Sequence, residues 1–239
     1  LFVGLPCQVD ACKKIVGQSA MLMTIGLICH GTPPYAYLKN HLYKQVKESA
    51  PFFSFRGKYN YMLCAYNSNK KVIFKKRQAE DAYFSAYMNG VITRENCFQC
   101  QYAESKRVED ITIGDFWGLN SNALGGYKGR VSVALCNTEK GIDFFEKAKG
   151  NFFWEERDPQ EAIAGNSQLK VPTQRSPERD IFCEAYRRTK SFSQAIKDTS
   201  IPLNNRKAWM KRVFFAAPRI IVKIINRTRT IINPLKWEN

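Results

Sequence analysis

The first fifty residues alternate between short apolar runs and segments with helical spacing. Leu1–Gly4 is apolar like the end of a buried strand, and Gln8–Val16 then places its apolar side chains at helical intervals. Ala20–Cys29 is a continuous apolar run, which is typical of a central parallel strand, and Tyr35–Glu48 is amphipathic with helical spacing. This strand–helix–strand–helix order predicts an α/β layer.

Shorter alternating segments follow. Phe52–Arg56, Tyr61–Asn67 and Lys71–Lys76 are predicted to be three strands of an antiparallel meander, and Ala79–Gly90 is predicted to be a helix. The meander interrupts the α/β pattern, so we interpret it as an insertion.

The α/β pattern then resumes. Asp110–Gly118 begins as an alternating strand and ends in a Gly-Asp-Phe-Trp-Gly turn. Val131–Asn137 is predicted to be a strand, Thr138–Lys149 its following helix, and a further helix is expected from Pro177 to Arg188. The fold class is therefore α/β: a mixed sheet with flanking helices, an antiparallel meander insertion and a C-terminal basic helical extension.

The character of the chain changes at residue 201, so we predict one domain over residues 1–200 and a tail over residues 201–239. The tail holds nine basic residues and one acidic residue, interleaved with apolar residues at helical spacing. Pro218 is expected to kink or split this helix. A basic amphipathic segment can lie in an anionic membrane interface, which we favour, or dock on a partner or on the parent domain.

Charge limits the classes of partner. Lys and Arg outnumber Asp and Glu by 37 to 21, a net charge of +16, which suits a polyanion, a membrane surface or a phosphate-rich cofactor. We expect no nucleic-acid partner, because no nucleic-acid-binding fingerprint accompanies the charge. No apolar run approaches the roughly 18–20 residues of a spanning helix, and no signal peptide is evident. We expect a cytoplasmic protein, peripheral at the inner membrane face, whose natural N-terminus is missing, since Leu1 lies within an apolar run.

Four of the eight cysteines occupy positions that suit a metal centre. Cys97 and Cys100 form a Cys-x-x-Cys pair, which puts two thiolates on one tight turn. Cys7 is expected at a helix N-terminus, where the helix dipole favours a thiolate, and Cys29 at the carboxyl end of its strand, where α/β sheets place ligand sites. We predict that these four cysteines converge on one iron–sulfur cluster.

Other interpretations stay open at this point. An isolated Cys-x-x-Cys pair also occurs in zinc knuckles and redox motifs, although structural zinc sites usually show two such pairs. A thioredoxin-like dithiol fits less well, because no strand leads directly into a helix at Cys97. Cys7 alone could be a small apolar residue at a strand–helix joint. The other cysteines are interpreted as core: Cys12, Cys64, Cys136 and Cys183.

Basic residues and a histidine are further candidates. Arg56 and Lys58 lie with other basic residues at the turns of the predicted meander, where they could cradle a pyrophosphate or simply form a solvated edge that resists strand pairing. His30 could polarise a bound cofactor or be a structural hydrogen-bonding group. His41, on the next helix, is interpreted as structural.

The chain resembles the coenzyme F-420 hydrogenase/dehydrogenase beta-subunit family, specifically its C-terminal domain. The resemblance covers roughly residues 1–190, and its motifs come in the family's order. They are Gly4-Leu5-Pro6-Cys7-Gln8, Ile28-Cys29-His30-Gly31-Thr32-Pro33, Phe55-Arg56-x-Lys58, Cys97-x-x-Cys100, Asp110-Ile111-Thr112-Ile113-Gly114-Asp115-Phe116-Trp117-Gly118, Asn166-x-Gln168-Leu169 and Ser176-Pro177-x-Arg179.

The resemblance implies an iron–sulfur flavoprotein oxidoreductase subunit that transfers electrons between a 4Fe-4S cluster, FAD and a partner or deazaflavin coenzyme such as coenzyme F-420. The partner would be a redox protein or a ferredoxin-like domain, and some relatives resemble products of polysaccharide-synthesis loci. The family's cluster ligands map onto Cys7, Cys29, Cys97 and Cys100.

The resemblance also suggests a flavin site, at which Arg56 and Lys58 would meet cofactor phosphates. Gly114, Asp115 and Trp117 would line the flavin or shape the cluster pocket. The alternative function is a non-catalytic, zinc-stabilised interaction module that docks through its basic tail. A relative that keeps the fold without flavin is a third possibility.

Overall fold

The computed structural model describes residues 1–17, 19, 21–46, 48–57, 61–120, 122–127 and 129–201. The chain divides into two compact units. The first unit comprises Leu1–Pro34 and Thr93–Arg175, and the second comprises Tyr35–Ile92 and the described residues of Ser176–Asn239. The Tyr35–Ile92 segment of the second unit thus lies between the two segments of the first in the sequence, and the predicted meander lies within it.

The first unit contains a four-stranded mixed sheet. Its strands are β1 (Phe2–Gly4), β2 (Thr24–Leu27), β6 (Ile111–Asp115) and β7 (Ser132–Cys136), in the spatial order β1-β2-β6-β7. The first three are parallel to one another, and β7 is antiparallel to β6. The carboxyl ends of β1 and β2 therefore lie at the same edge of the sheet.

Three helices belong to the first unit. Helix α1 (Pro6–Val16) crosses from β1 to β2, with Pro at its first position and Lys13 and Lys14 in its last turn, both favourable placements. Helix α4 (Glu139–Ala148) follows β7 and is capped by the Thr138 hydroxyl, and α5 (Pro159–Gly165) is capped by Asp158. Short 3-10 turns occupy Glu95–Gln99, Ala123–Gly126, Lys149–Asn151 and Ser167–Leu169.

The second unit contains the antiparallel meander β3 (Phe52–Arg56), β4 (Tyr61–Tyr66) and β5 (Val72–Arg77). Its helices are α2 (Tyr35–Gln45), α3 (Ala82–Met88), α6 (Glu178–Thr189) and α7 (Phe192–Lys197), and a 3-10 turn spans Gln78–Glu80. Their apolar faces enclose a core in which Leu63, Ile92, Phe182 and Phe192 have no exposed surface. Burial of such side chains is the main stabilising term of this unit.

The predicted α/β fold class, with its meander, is confirmed. The predicted helix over 79–90 is divided, because Asp81 accepts a hydrogen bond from the backbone N–H of Phe84 and so begins α3 as its N-cap. Cys64 is buried as expected, and Cys183 packs against the core of the second unit. Cys12, Cys136 and Cys183 are all partly buried, so none of these three is fully enclosed as a core residue would be.

The tail prediction for residues 201–239 falls almost entirely outside the described residues and stays a prediction. Over the ranges that the structure describes, no helix combines the length and the apolar character needed to cross a membrane.

Candidate functional site: a cleft lined by four thiols

Four cysteines from three separate stretches of the first unit line one cleft. They are Cys7, Cys29, Cys97 and Cys100. Each of the three stretches reaches the cleft from a different local structure: the start of α1, the end of β2 and the turn Glu95–Gln99. The remainder of the lining is Leu5, Pro6, Gly31, Thr32, Tyr102, Ala103, Arg107, Gln168, Pro172 and Thr173.

Parallel pairing brings the first two cysteines together. β1 and β2 run side by side with Gly4 opposite Gly26, so the residues that follow each strand emerge at the same edge. Cys7 follows Pro6 in the first turn of α1 and is exposed, whereas Cys29 comes two residues after β2 and is partly buried. Cys7 lies in the first turn of α1, where the helix dipole favours negative charge.

Cys29 has a polar contact that suits a ligand sulfur. The backbone N–H of Gly31 donates a hydrogen bond to Cys29 Sγ at 3.3 Å. Burial raises the pKa of the Cys29 thiol; the Gly31 hydrogen bond opposes this, and charge on the other three cleft cysteines raises the pKa further. Binding of a positive metal centre reverses such a shift, because a ligand thiol must lose its proton.

The Cys-x-x-Cys turn is fastened to the segment that follows Cys29. The backbone N–H of Arg94 donates to the carbonyl oxygen of Thr32 at 3.0 Å, and that of Cys97 donates to Arg94 at 3.0 Å. The Thr32 hydroxyl lies 4.0 Å from Cys97 Sγ. Gly31 has φ = +87°, and a Cβ there would lie 3.2 Å from that of Cys97. Glycine is therefore required both by the backbone conformation and by the close approach.

A second wall of the cleft comes from the segment after α5. The side chains of Gln168 and His30 are hydrogen-bonded, with Nε2 of the amide 2.8 Å from Nδ1 of the ring. The Thr173 hydroxyl donates to the backbone carbonyl of His30 at 2.6 Å. One bond is to the His30 ring and the other to its backbone, and both hold residues 168–173 against the strand end that carries Cys29.

The cleft lining also contains Arg107, a residue that the motifs did not point to. Its side chain is 2% exposed and donates to the carbonyl oxygen of Tyr102 at 2.7 Å and to Oε1 of Glu109 at 2.9 Å. Any residue can supply a backbone carbonyl, so no residue pattern in the sequence indicates the contact with Tyr102. The only available hint was a basic residue between the Cys-x-x-Cys pair and the β6 motif.

The predicted flavin residues lie elsewhere. Gly114, Asp115 and Trp117 are not part of the cleft lining. A Cβ at Gly114 would lie 2.8 Å from the side chain of Ile28, so this glycine makes room for the residue just before Cys29. Asp115 ends β6, and Trp117 is 48% exposed in the following turn. Their flavin role stays a prediction.

The predicted phosphate residues belong to the second unit. Arg56 is exposed at the end of β3, with its guanidinium 4.9 Å from the centre of the Tyr61 ring and Nη1 3.3 Å from the Tyr61 hydroxyl. Lys58 lies outside the described residues. The assignment of both to cofactor phosphates therefore stays a prediction.

The arrangement of donors bears on the kind of metal centre. Within the described part of the chain, no three His, Cys, Asp or Glu side chains are gathered closely enough for a single metal ion. Four thiolates around one zinc ion, each at ~2.3 Å, would lie about 3.8 Å apart. The four thiols line one cleft without such convergence, and thiolates are ligands of both zinc and iron–sulfur clusters.

The comparison with family models agrees with the sequence resemblance. A family model matches residues 1–162, and it describes the C-terminal region of the beta subunit of coenzyme F420 hydrogenase/dehydrogenase. No curated protein matches this chain.

Among solved structures, the chain is similar to one in the xenon-derivatized F420-reducing NiFe hydrogenase complex from Methanosarcina barkeri, with 16% identity and a TM-score of 0.39. The match covers 70% of this chain and 56% of that one, so this chain spans little more than half the length of its neighbour.

Proposed function

The chain belongs to the coenzyme F-420 hydrogenase/dehydrogenase beta-subunit family, and from this premise we propose that it is an iron–sulfur flavoprotein oxidoreductase subunit. A 4Fe-4S cluster would be held by Cys7, Cys29, Cys97 and Cys100. Such a cluster takes up and releases single electrons, which suits a subunit placed between a flavin and another carrier.

The observation that carries the proposal is the common cleft of these four cysteines. They come from positions spread over the first hundred residues, and no other role of a core or a turn requires thiols from three stretches to meet. The family's cluster ligands correspond to the same positions by motif.

The chain's own residues would hold the cluster. The Gly31 N–H donates to the Cys29 sulfur, and such bonds stabilise the negative charge on a ligand sulfur. Gln168, Pro172, Thr173 and Arg107 line the cleft beside the thiols.

The flavin and the coenzyme belong to the same proposal. FAD would lie near Gly114, Asp115 and Trp117 of the first unit, and a deazaflavin such as coenzyme F-420 would be one electron partner. The other would be a redox protein or a ferredoxin-like domain. Arg56 and Lys58 of the second unit would meet cofactor phosphates. Arg56 supports this assignment through its exposure and charge alone.

The test is a metal, sulfide and flavin analysis of the full chain purified without oxygen. We expect about four iron atoms and four acid-labile sulfides per chain, a yellow-brown colour and extractable FAD. Iron without flavin would retain the cluster and remove the flavin assignment. A colourless protein free of iron after reconstitution with ferrous iron and sulfide would contradict the proposal.

A zinc-stabilised interaction module is the second candidate, since thiols are also zinc's preferred ligands. It predicts one zinc per chain, no visible absorbance and no labile sulfide in the same analysis. The metal found in that analysis therefore decides between the two candidates.

The tail adds a proposal on location. Residues 201–239 carry a net charge of +8 among apolar residues, so we propose peripheral contact with an anionic membrane on the cytoplasmic side. Co-sedimentation of the full chain with vesicles containing phosphatidylserine should exceed that with neutral vesicles and fall when residues 201–239 are deleted. Equal sedimentation of both chains would refute membrane contact through the tail.

A further inference from the structure

Arg107 is a buried arginine whose hydrogen bonds all remain within the cysteine-bearing unit. Its Nε and Nη2 atoms lie 2.9 Å and 2.8 Å from Oε1 of Glu109, and Nε lies 3.3 Å from the Thr112 hydroxyl. Nη1 donates to the Tyr102 carbonyl at 2.7 Å, and Nη2 to the Leu27 carbonyl at 3.4 Å. The planar guanidinium thus uses all three of its nitrogens, which a lysine could not reproduce.

Two of these bonds reach the segments that carry cleft cysteines. Tyr102 lies two residues after Cys100, and Leu27 lies two residues before Cys29. Arg107 therefore ties the chain leaving the Cys-x-x-Cys turn to the end of β2. A displacement of either segment by about 1 Å would break at least one of its bonds.

The same loop is also tied to the helix that begins at Cys7. The Tyr102 hydroxyl donates to Oδ2 of Asp10 at 2.6 Å, and Lys13 donates to the carbonyl oxygen of Val108 at 2.6 Å. Both Asp10 and Lys13 lie on α1. All three cysteine-bearing stretches thus depend on residues 102–108 for part of their relative position.

Glu109 is the buried counter-charge. Its side chain has no exposed surface, its Oε1 also accepts the Thr112 hydroxyl at 2.6 Å, and its Oε2 has no hydrogen-bond partner in the described structure. It packs on Gly26, where any Cβ would lie 2.3 Å from the carboxyl carbon. Arg107 lines the cleft, and Glu109 does not.

The charge of the unit as a whole does not set the field at the cleft. The first unit contains 13 basic and 13 acidic residues, so the chain's positive excess lies in the second unit and the tail. Among the described residues that line the cleft, Arg107 is the basic side chain. The positive charge of Arg107 would stabilise the negative charge that gathers on four thiolates. Solvent and salt screen this interaction weakly, because Arg107 and Glu109 are buried.

We propose that Arg107 is a positioning residue of the cluster site and that its charge raises the reduction potential of the cluster, with Glu109 opposing it from behind. The inference rests on the proposed function. A positive group in the wall favours the reduced form, which carries one more negative charge, and removal of the carboxylate acts in the same sense.

The test is a redox titration of the reconstituted full chain followed by electron paramagnetic resonance. Arg107→Gln should lower the midpoint potential by about the equivalent of a tenfold change in the ratio of reduced to oxidised cluster, ~59 mV for one electron. Glu109→Gln should raise it. Arg107→Lys should keep the midpoint potential near the wild-type value, because the positive charge is retained. It should lose iron to a chelator several-fold faster, because lysine lacks the planar guanidinium that makes several hydrogen bonds at once.

The matched control is Arg157→Gln, in the same unit. Arg157 also pairs with carboxylates, those of Glu155 and Glu161, but it does not line the cleft, so the potential should not change. Shifts of the same sign for Arg107→Gln and Glu109→Gln, or no shift in either, would overturn the charge role. If the Arg107→Gln variant takes up no iron, its potential cannot be measured. The sign of the shift in Glu109→Gln then decides whether the charge role holds.

A wild-type chain without iron would instead contradict the proposed function, and the two failures are therefore distinguishable. The positioning role has its own readout, iron release from Arg107→Lys, which does not depend on activity. Release at the wild-type rate would overturn it.

Discussion

The backbone N–H of Gly31 points at the sulfur of Cys29, with 3.3 Å between nitrogen and Sγ. This contact requires Gly31 to adopt φ = +87°, in the region that glycine alone enters at no steric cost. The same residue faces the Cys-x-x-Cys turn, so one glycine fixes the spacing between two cysteine-bearing segments.

Gly31→Ala should therefore destabilise the chain beyond the cost of the backbone conformation. A Cβ at Gly31 would lie 2.6 Å from Cγ2 of Thr93, whereas a Cβ at Gly17, with φ = +75°, would meet nothing within 4 Å. We expect Gly17→Ala to cost about 1 kcal/mol and Gly31→Ala about 2–4 kcal/mol in free energy of unfolding. Denaturant unfolding of the two variants checks this, and equal costs would mean that the Gly31 contact is relieved by a small shift.

Cys97→Ser should abolish the visible colour and most of the bound iron of the reconstituted chain, because a serine hydroxyl does not replace a thiolate ligand. Cys12→Ser is the matched control, since Cys12 lies on α1 within the same unit but does not line the cleft. Iron, sulfide and absorbance are measured for both. Unchanged iron in Cys97→Ser would remove Cys97 from the ligand set.

Stability should depend on pH through Asp110. Burial alone would raise the pKa of this carboxyl, but hydrogen bonds from the Thr24 hydroxyl at 2.7 Å, the Thr24 amide at 2.8 Å and Thr138 outweigh burial, so the pKa is lowered. A depressed carboxyl pKa stabilises the fold above the unfolded-state pKa of about 4, and this contribution is lost as the pH falls through the lower folded-state pKa.

Thr24→Val tests this dependence. It should cost about 1.5–3 kcal/mol near pH 7, and the difference from wild type should shrink as the pH falls below about 4. Thr93→Val is the control, because Thr93 is equally buried and its hydroxyl has no partner within the described ranges. Its effect should be near zero or stabilising and independent of pH. A Thr24→Val effect that stays constant down to about pH 2 would rule out the Asp110 linkage.

Asp81→Ala should destabilise the second unit by about 2–4 kcal/mol. Asp81 caps α3 through the Phe84 amide at 2.8 Å, and its other oxygen is 2.8 Å from Nε2 of His41, which is 3% exposed. The alanine loses the cap and also leaves the imidazole buried without this partner. Thermal or denaturant unfolding gives the cost.

Asp158→Ala provides the comparison for that variant. Asp158 caps α5 through the Gln160 amide at 2.9 Å but is exposed, so only the cap is lost, at about 1 kcal/mol. A cost for Asp81→Ala no larger than that for Asp158→Ala would show that the His41 contact adds nothing to stability.

Much of the cleft was predictable because it follows from strand ends. Cys7 and Cys29 each come just after a strand, and parallel strands deliver their carboxyl ends to one edge. The Cys-x-x-Cys turn was recognisable by its spacing alone. The role of Arg107 was not predictable, since its partners are mostly backbone carbonyls. In the sequence, a single buried arginine in a loop cannot be distinguished from a solvent-exposed arginine.

The sequence alone determined the kind of element in most stretches and the candidate ligands, because hydrophobic periodicity, caps and cysteine spacing depend on residues close together in the chain. Only the tertiary structure decided that the meander belongs to a separate unit, that Gly114, Asp115 and Trp117 lie outside the cleft lining, and that Arg107 completes its wall. Those outcomes depend on contacts between residues far apart in the chain, such as Tyr102 with Asp10, and no local pattern encodes such contacts.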